Sequence, residues 1–175
     1  TQRVDSKILN SAIPANLRAA NGHWYALSMR ARAVYASKDR IPLSAISYED
    51  LANPKWKGKI CIRSGSHPYN TGLIAAYIAH HGEKQAEKWL RGVKANLARS
   101  ASGGDRDVAR DILGQICDIG IANTYYVGTM RTGDARQKRW GNAINVVLPT
   151  FNNGGTHVNV SGAVVSKYAP NRKEA

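Results

Sequence analysis

Apolar positions change their period repeatedly along the chain, and each change marks an element. His23 to Ala36, HWYALSMRARAVYA, alternates in part and is rich in strand formers, which predicts a long strand. Short apolar runs at 59–63, 116–122, 146–149 and 157–165 predict further strands. Helical patterns lie between them. Ala86, Trp89, Leu90, Val93 and Leu97 recur at helical spacing over 83–98. Residues 71–81 have helical composition and stop at Gly82, and Asp105 to Leu113 carries acids near its start and Gly114 at its end. Residues 127–140 read as helix broken at Gly133, and residues 3–20 open in helix-like fashion. Ser47 starts a short helix, with Glu49 and Asp50 in its first turn, which Asn53-Pro54 stops. This alternation predicts an α/β fold. Open α/β sheets gather ligands at loops beyond the C-terminal ends of their strands. Two such loops here, 64–70 and 123–126, carry tyrosines.

Composition narrows the classes. The 175 residues are 43% apolar, enough for one domain or for one domain and part of another. No apolar run reaches the roughly 18 residues of a membrane span. No basic-then-apolar segment opens the sequence at Thr1, and a mature or trimmed product is expected. Twenty-five Lys and Arg against twelve Asp and Glu give a net charge of +13, which attracts anions. The basic residues are spread from Arg3 to Lys173, with small groups at Lys55–Lys59 and Arg136–Arg139. That spread reads as a solvated basic surface more readily than as a nucleic-acid-binding arm. Catalysis is not expected. No carboxylate in the sequence neighbourhood orients His67 beside Ser64 and Ser66, and Ser102-Gly103-Gly104 lacks the Lys-Ser/Thr of a phosphate loop. Cys61 and Cys117 both fall in strand-like runs. They can form a disulfide or stay as two buried thiols.

Tyr69, Tyr125 and Tyr126 are the candidate chemistry. A loop tyrosine often lids a core. Two consecutive tyrosines in an extended loop point to opposite sides, so they seldom share one core. A phenol titrates near ~10 and is neutral at neutral pH, but a strongly charged cation favours the anion. Phenolate oxygen is a hard ligand that suits hard cations, ferric iron among them, whereas zinc prefers Cys, His and carboxylates. Three phenolates would balance the ferric charge. Further coordination positions would then be open to a small anion held by an arginine fork. Arg30, Arg32 and Arg63 are all placed for that role, and for each a simple salt bridge is an equal reading.

Several stretches resemble one family. They are Trp24 to Arg32, Asn53-Pro54-Lys55-Trp56-Lys57-Gly58-Lys59, Arg63 to Asn70, Ala122-Asn123-Thr124-Tyr125-Tyr126-Val127-Gly128 and His157 to Ala163. The resemblance is to the periplasmic ferric-iron-binding proteins of ABC importers, and it runs along almost the whole chain. It implies a type II periplasmic-binding-protein fold. Residues 1–36 would be a hinge strand and first-lobe remnant, 37–145 the second lobe, and 146–175 the returning hinge strand and remnant. It implies Tyr69, Tyr125 and Tyr126 as ligands of Fe3+, with Arg30 or Arg32 holding carbonate or another synergistic anion and Asn123 positioning the anion or the loop. It implies a periplasmic monomer that delivers iron to an ABC-type permease. The His-Tyr pair of the family's first lobe has no counterpart here. The rival readings are a same-fold binder of another solute, such as an oxyanion, and a basic nucleic-acid-binding module.

Overall fold

The computed structural model describes residues 1–171 and 174, which form two compact units. One unit comprises residues 31–158; the other comprises residues 1–30 and the chain from Asn159 onward. Strand β1 (Tyr25–Ser37) contributes residues to both.

The larger unit is built on a mixed sheet. Its strands are the second half of β1, β2 (Ile60–Ile62), β3 (Ile119–Asn123) and β4 (Ile144–Val147), in the order β2-β3-β1-β4. β2 runs parallel to β3, whereas β1 is antiparallel to both β3 and β4. The register sets Arg32 opposite Asn123 and Cys61 opposite Gly120. Helices cover both faces, which is why these strands read as nearly continuous apolar runs. Val34, Ile60, Ile119 and Ile121 pack with Leu73 and Tyr77 of α2 (Pro68–His81) and Trp89 and Val93 of α3 (Glu83–Ala95). On the other face, Tyr35, Cys61 and Ala122 pack with Val108 and Ile112 of α4 (Asp105–Leu113) and Met130 of α5 (Tyr125–Thr132). Trp140 of the last helix, α6 (Ala135–Asn142), closes that core.

Close approach on this second face fixes one residue. A Cβ at Gly120 would stand 2.3 Å from Val108 Cγ1 and 2.6 Å from the Cys61 carbonyl oxygen, so glycine lets α4 seat directly on β3.

Several boundaries differ from those expected. α2 begins at Pro68, because His67 caps it by accepting from the Tyr69 N–H and proline suits the first helical position. α5 begins at Tyr125, so neither tyrosine segment is a loop throughout. α3 ends at Ala95, where the Asn96 side chain turns to the carbonyls of Leu51 and Asn53. The short helix expected from Ser47 is a pair of 3-10 turns, at Glu49–Ala52 and Pro54–Trp56. β3 starts at Ile119, which leaves Cys117 just ahead of the strand, and there it is disulfide-bonded to Cys61.

The smaller unit holds helix α1 (Lys7–Ala12), the first half of β1 and most of β5 (Val158–Ala163), which pairs with β1. An isolated bridge joins Gln2 to Val165. Among the described residues, no helix is long and apolar enough to cross a membrane.

The disulfide closes a loop of 56 residues in sequence separation between β2 and the entry to β3. Loop-closure entropy for that length amounts to about 4 kcal/mol. The double variant Cys61→Ala/Cys117→Ala is therefore expected to lose stability on that scale in urea unfolding, and a loss below about 1 kcal/mol would show that the bond constrains little.

Candidate functional site

The three candidate tyrosines sit on the first turns of two helices at the C-terminal side of the parallel pair β2 and β3. Tyr69 is the second residue of α2, and Tyr125 and Tyr126 open α5. The hydroxyls of Tyr69 and Tyr125 are 3.2 Å apart, and the rings of Tyr125 and Tyr126 lie 4.2 Å apart at 31°. This differs from two rings pointing to opposite sides. Helical geometry turns successive side chains by far less than an extended chain does, so both rings stay on one side. Unsatisfied N–H groups at a helix start also favour negative charge close by.

Cations surround the phenols. The guanidinium carbon of Arg63 is 4.9 Å from the Tyr69 ring centre and that of Arg32 is 5.9 Å from it. Arg106 lies 5.5 Å from the Tyr126 ring centre. Partial burial, followed by the neighbouring hydroxyls of Tyr126 and Tyr69, raises the Tyr125 pKa above the ordinary phenol value. The phenol is thus protonated at neutral pH. Partial burial, with Arg63 nearby, keeps the capping His67 below the usual imidazole value.

One buried acid organises these elements. Asp105, the first residue of α4, accepts from Arg32 at 2.9 Å, from Arg63 at 3.3 Å and from the Asn123 backbone N–H at 2.8 Å. Arg32 is 2% exposed and also donates to Asn123 Oδ1 at 3.2 Å and to Asn70 Oδ1 at 2.6 Å. Burial pushes the Arg32 pKa down, and Asp105 opposes that shift. The Asn70 amide donates onward to the carbonyls of Ser64 and Arg63. Tyr35, whose pKa burial raises, donates to the Asn123 carbonyl at 2.6 Å.

The structure therefore brings Tyr69, Tyr125 and Tyr126 together, with Arg32 and Asn123 directly beneath them in a bonded network. Arg30 belongs to the smaller unit and donates to Ser161 on β5. Asp105, Asn70 and Arg106 were not singled out by the sequence. Asp105 looks there like any acid in a first helical turn, and only its burial beside two arginines marks it. Among the described residues no cluster of three or more His, Cys, Asp or Glu could hold a metal.

A mixed sheet covered by helices on both faces, with ligand-competent groups on helix starts beyond β2 and β3, defines a lobe of the type II periplasmic-binding-protein fold. Residues 2–175 match the family model described as bacterial extracellular solute-binding protein, and the chain belongs to that family. It is 43% identical to iron uptake protein A2 of Synechocystis sp., over 99% of this chain and 51% of that protein. Among solved structures it superposes on the Bordetella ferric binding protein with a TM-score of 0.93 at 62% identity, covering 99% of this chain and 55% of that one. A Trichodesmium protein, solved in complex with iron and citrate ligands, superposes with a TM-score of 0.91 at 41% identity, over 98% and 55%. The chain thus spans about half the length of the relatives it matches.

Removing one partner of a buried ion pair leaves an uncompensated charge, at a cost of roughly 3–5 kcal/mol. Asp105→Ala is expected to destabilise the larger unit on that scale, because two arginines and a backbone N–H lose their acceptor together. Urea unfolding of this variant against the parent checks it, and a change under about 1 kcal/mol would remove Asp105 from this role.

Proposed function

We propose that this chain carries ferric iron as cargo, held by the phenolates of Tyr69, Tyr125 and Tyr126. The observation that carries the reading is the 3.2 Å approach of the Tyr69 and Tyr125 hydroxyls, with the Tyr126 ring tilted against that of Tyr125. Cations line the same place, and relatives named for ferric iron or iron uptake support the choice of ion.

The charge balance follows. Three phenolates neutralise a ferric ion and leave coordination positions for a small anion, carbonate or another oxyanion. Both terminal nitrogens of Arg32 donate to protein acceptors beneath the tyrosines, and its one unpartnered nitrogen, Nε, is buried, which fits it poorly to grip an anion. Arg63 is the better candidate in this unit. Its guanidinium stands against the Tyr69 ring, and its Nε is buried without a partner. Asn123 Nδ2 is likewise buried and unpartnered, so the residue has a donor to spare beside its bond to Arg32.

Around this site we read residues 37–145 as the second lobe of a hinged binding protein. Residues 1–36 and 146–175 are hinge strands and parts of the first lobe. The whole protein would act as a periplasmic monomer that hands iron to an ABC-type permease, without catalysis.

Ligation requires each protonated phenol to release its proton, so metal affinity depends on pH. For Tyr125, whose pKa is raised, the proton is held throughout the neutral range, and affinity should fall about tenfold for each pH unit lost on its account. Titration with ferric nitrilotriacetate, corrected for protonation of the chelator, should give a visible phenolate-to-iron absorption band. The band should be lost in Tyr125→Phe and weakened in Tyr69→Phe. No band in the parent, together with stabilisation by an oxyanion alone, would move the reading to a binder of another solute.

A further inference from the structure

The arginine under the tyrosines has an unusual set of partners. Arg32 reaches acceptors on three different elements: Asp105 at the start of α4, Asn123 at the end of β3, and Asn70 in the first turn of α2. Two of these acceptors adjoin the candidate ligands in sequence. Asn70 follows Tyr69 directly, and Asn123 precedes Tyr125 by two residues. The start of α2 and the start of α5 otherwise come from segments more than fifty residues apart in the chain. One planar, five-donor group holds both to a fixed spacing.

Building on the iron reading above, we propose that Arg32 is a positioning residue for the metal site: its fork sets the distance between Tyr69 and the Tyr125–Tyr126 pair. An anion-gripping role fits it poorly. The residue is 2% exposed, and both terminal nitrogens of its fork already donate to protein acceptors. The network behind it is built to keep it still. Asn70 is oriented by its own bonds to the carbonyls of Ser64 and Arg63. Asn123 is fixed through its backbone N–H to Asp105 and through its carbonyl, which accepts from Tyr35. The backbone of Arg32 itself is held at its carbonyl by the hydroxyl of Tyr48, 2.6 Å away. The position of one hydroxyl relative to the others is thereby transmitted through side-chain bonds, while the ion would touch none of those bonding groups.

Lysine supplies the same charge at the same place without the fork, and its single ammonium cannot span the three acceptors. The test is a double-mutant cycle in the intact protein, with Arg32→Lys, Tyr69→Phe and the combination. It is read by ferric affinity against nitrilotriacetate and by the intensity of the phenolate-to-iron band. Arg32→Lys alone should weaken affinity by about 10–100-fold, the range typical of residues that orient metal ligands, and should lower the band. In the Tyr69→Phe background the same change should cost within about twofold of nothing, because the ligand that Arg32 positions is already gone.

Equal losses in both backgrounds would overturn the proposal, since a purely structural contribution does not depend on which phenols are present. Urea unfolding midpoints of all four proteins identify variants that are folded under the binding conditions. Should Arg32→Lys not fold, Asn70→Ala, which frees α2 alone from the guanidinium, must show the same dependence on Tyr69; independence from it overturns the proposal as well. A parent protein without any band overturns the iron reading and this inference together. A parent with a strong band and an additive cycle overturns only the inference.

Discussion

The ion pair between Arg32 and Asp105 is the contact on which the rest of the larger unit's ligand face depends. It lies where water does not reach, and desolvating two opposite charges is unfavourable unless their remaining donors and acceptors are met. Here nearly all are met. Asp105 takes Arg63 and a backbone N–H on its other bonds, and Arg32 takes two asparagine side chains. The result ties the start of α4, the end of β3 and the start of α2 into one bonded cluster. Helices that begin on this cluster present their first turns, and the tyrosines on them, at the edge of the sheet.

Beneath that edge the sheet is held by different physics. Its two faces carry separate apolar clusters, one under α2 and α3 and the other under α4, α5 and α6. Strand alternation divides them residue by residue: Val34 and Ala36 go to one side and Tyr35 to the other. The disulfide and Gly120 both belong to the α4 side. One draws the entry of β3 to β2, and the other lets the helix lie close on β3. Tyr48 links the two levels. Its carbonyl accepts from Trp89 of the α3 face, while its hydroxyl donates to the carbonyl of Arg32. Burial raises its pKa, which keeps that hydroxyl a donor at any ordinary pH.

Much of this was legible from local pattern. The helix Asp105–Leu113 has the bounds that its acids and closing glycine indicate, and the long strand is within two residues of its expected ends. The tyrosine pair stood out because two consecutive rings in an extended loop seldom share one core. What escaped was non-local or unusually capped. A histidine cap followed by proline starts α2 three residues before the apolar composition does, so Tyr69 reads as loop. The pairing of Arg32 with Asn123 joins residues 91 positions apart, and no local period encodes it. For the same reason Asp105 passes for a helix-start acid until the fold buries it. The cysteines were readable as a pair able to bond, but the bond itself is a property of the tertiary approach of β2 to the segment before β3.

The helical setting of the tyrosines has a consequence for how fast and how sharply the proposed cargo would be held. Side chains on a mobile loop must be frozen one by one as they close on an ion, at about 0.5–1.5 kcal/mol for each that is immobilised. Phenol rings rooted in the first turns of two packed helices have their backbone fixed before any ion could arrive, so only the rings themselves remain to be ordered. If the phenols ligate iron as proposed, capture would be mainly an exchange of protons for metal, and letting go would need either those protons back or a displacement of whole helices. On that reading retention time would be a property of the scaffold's stiffness, set when the chain folds.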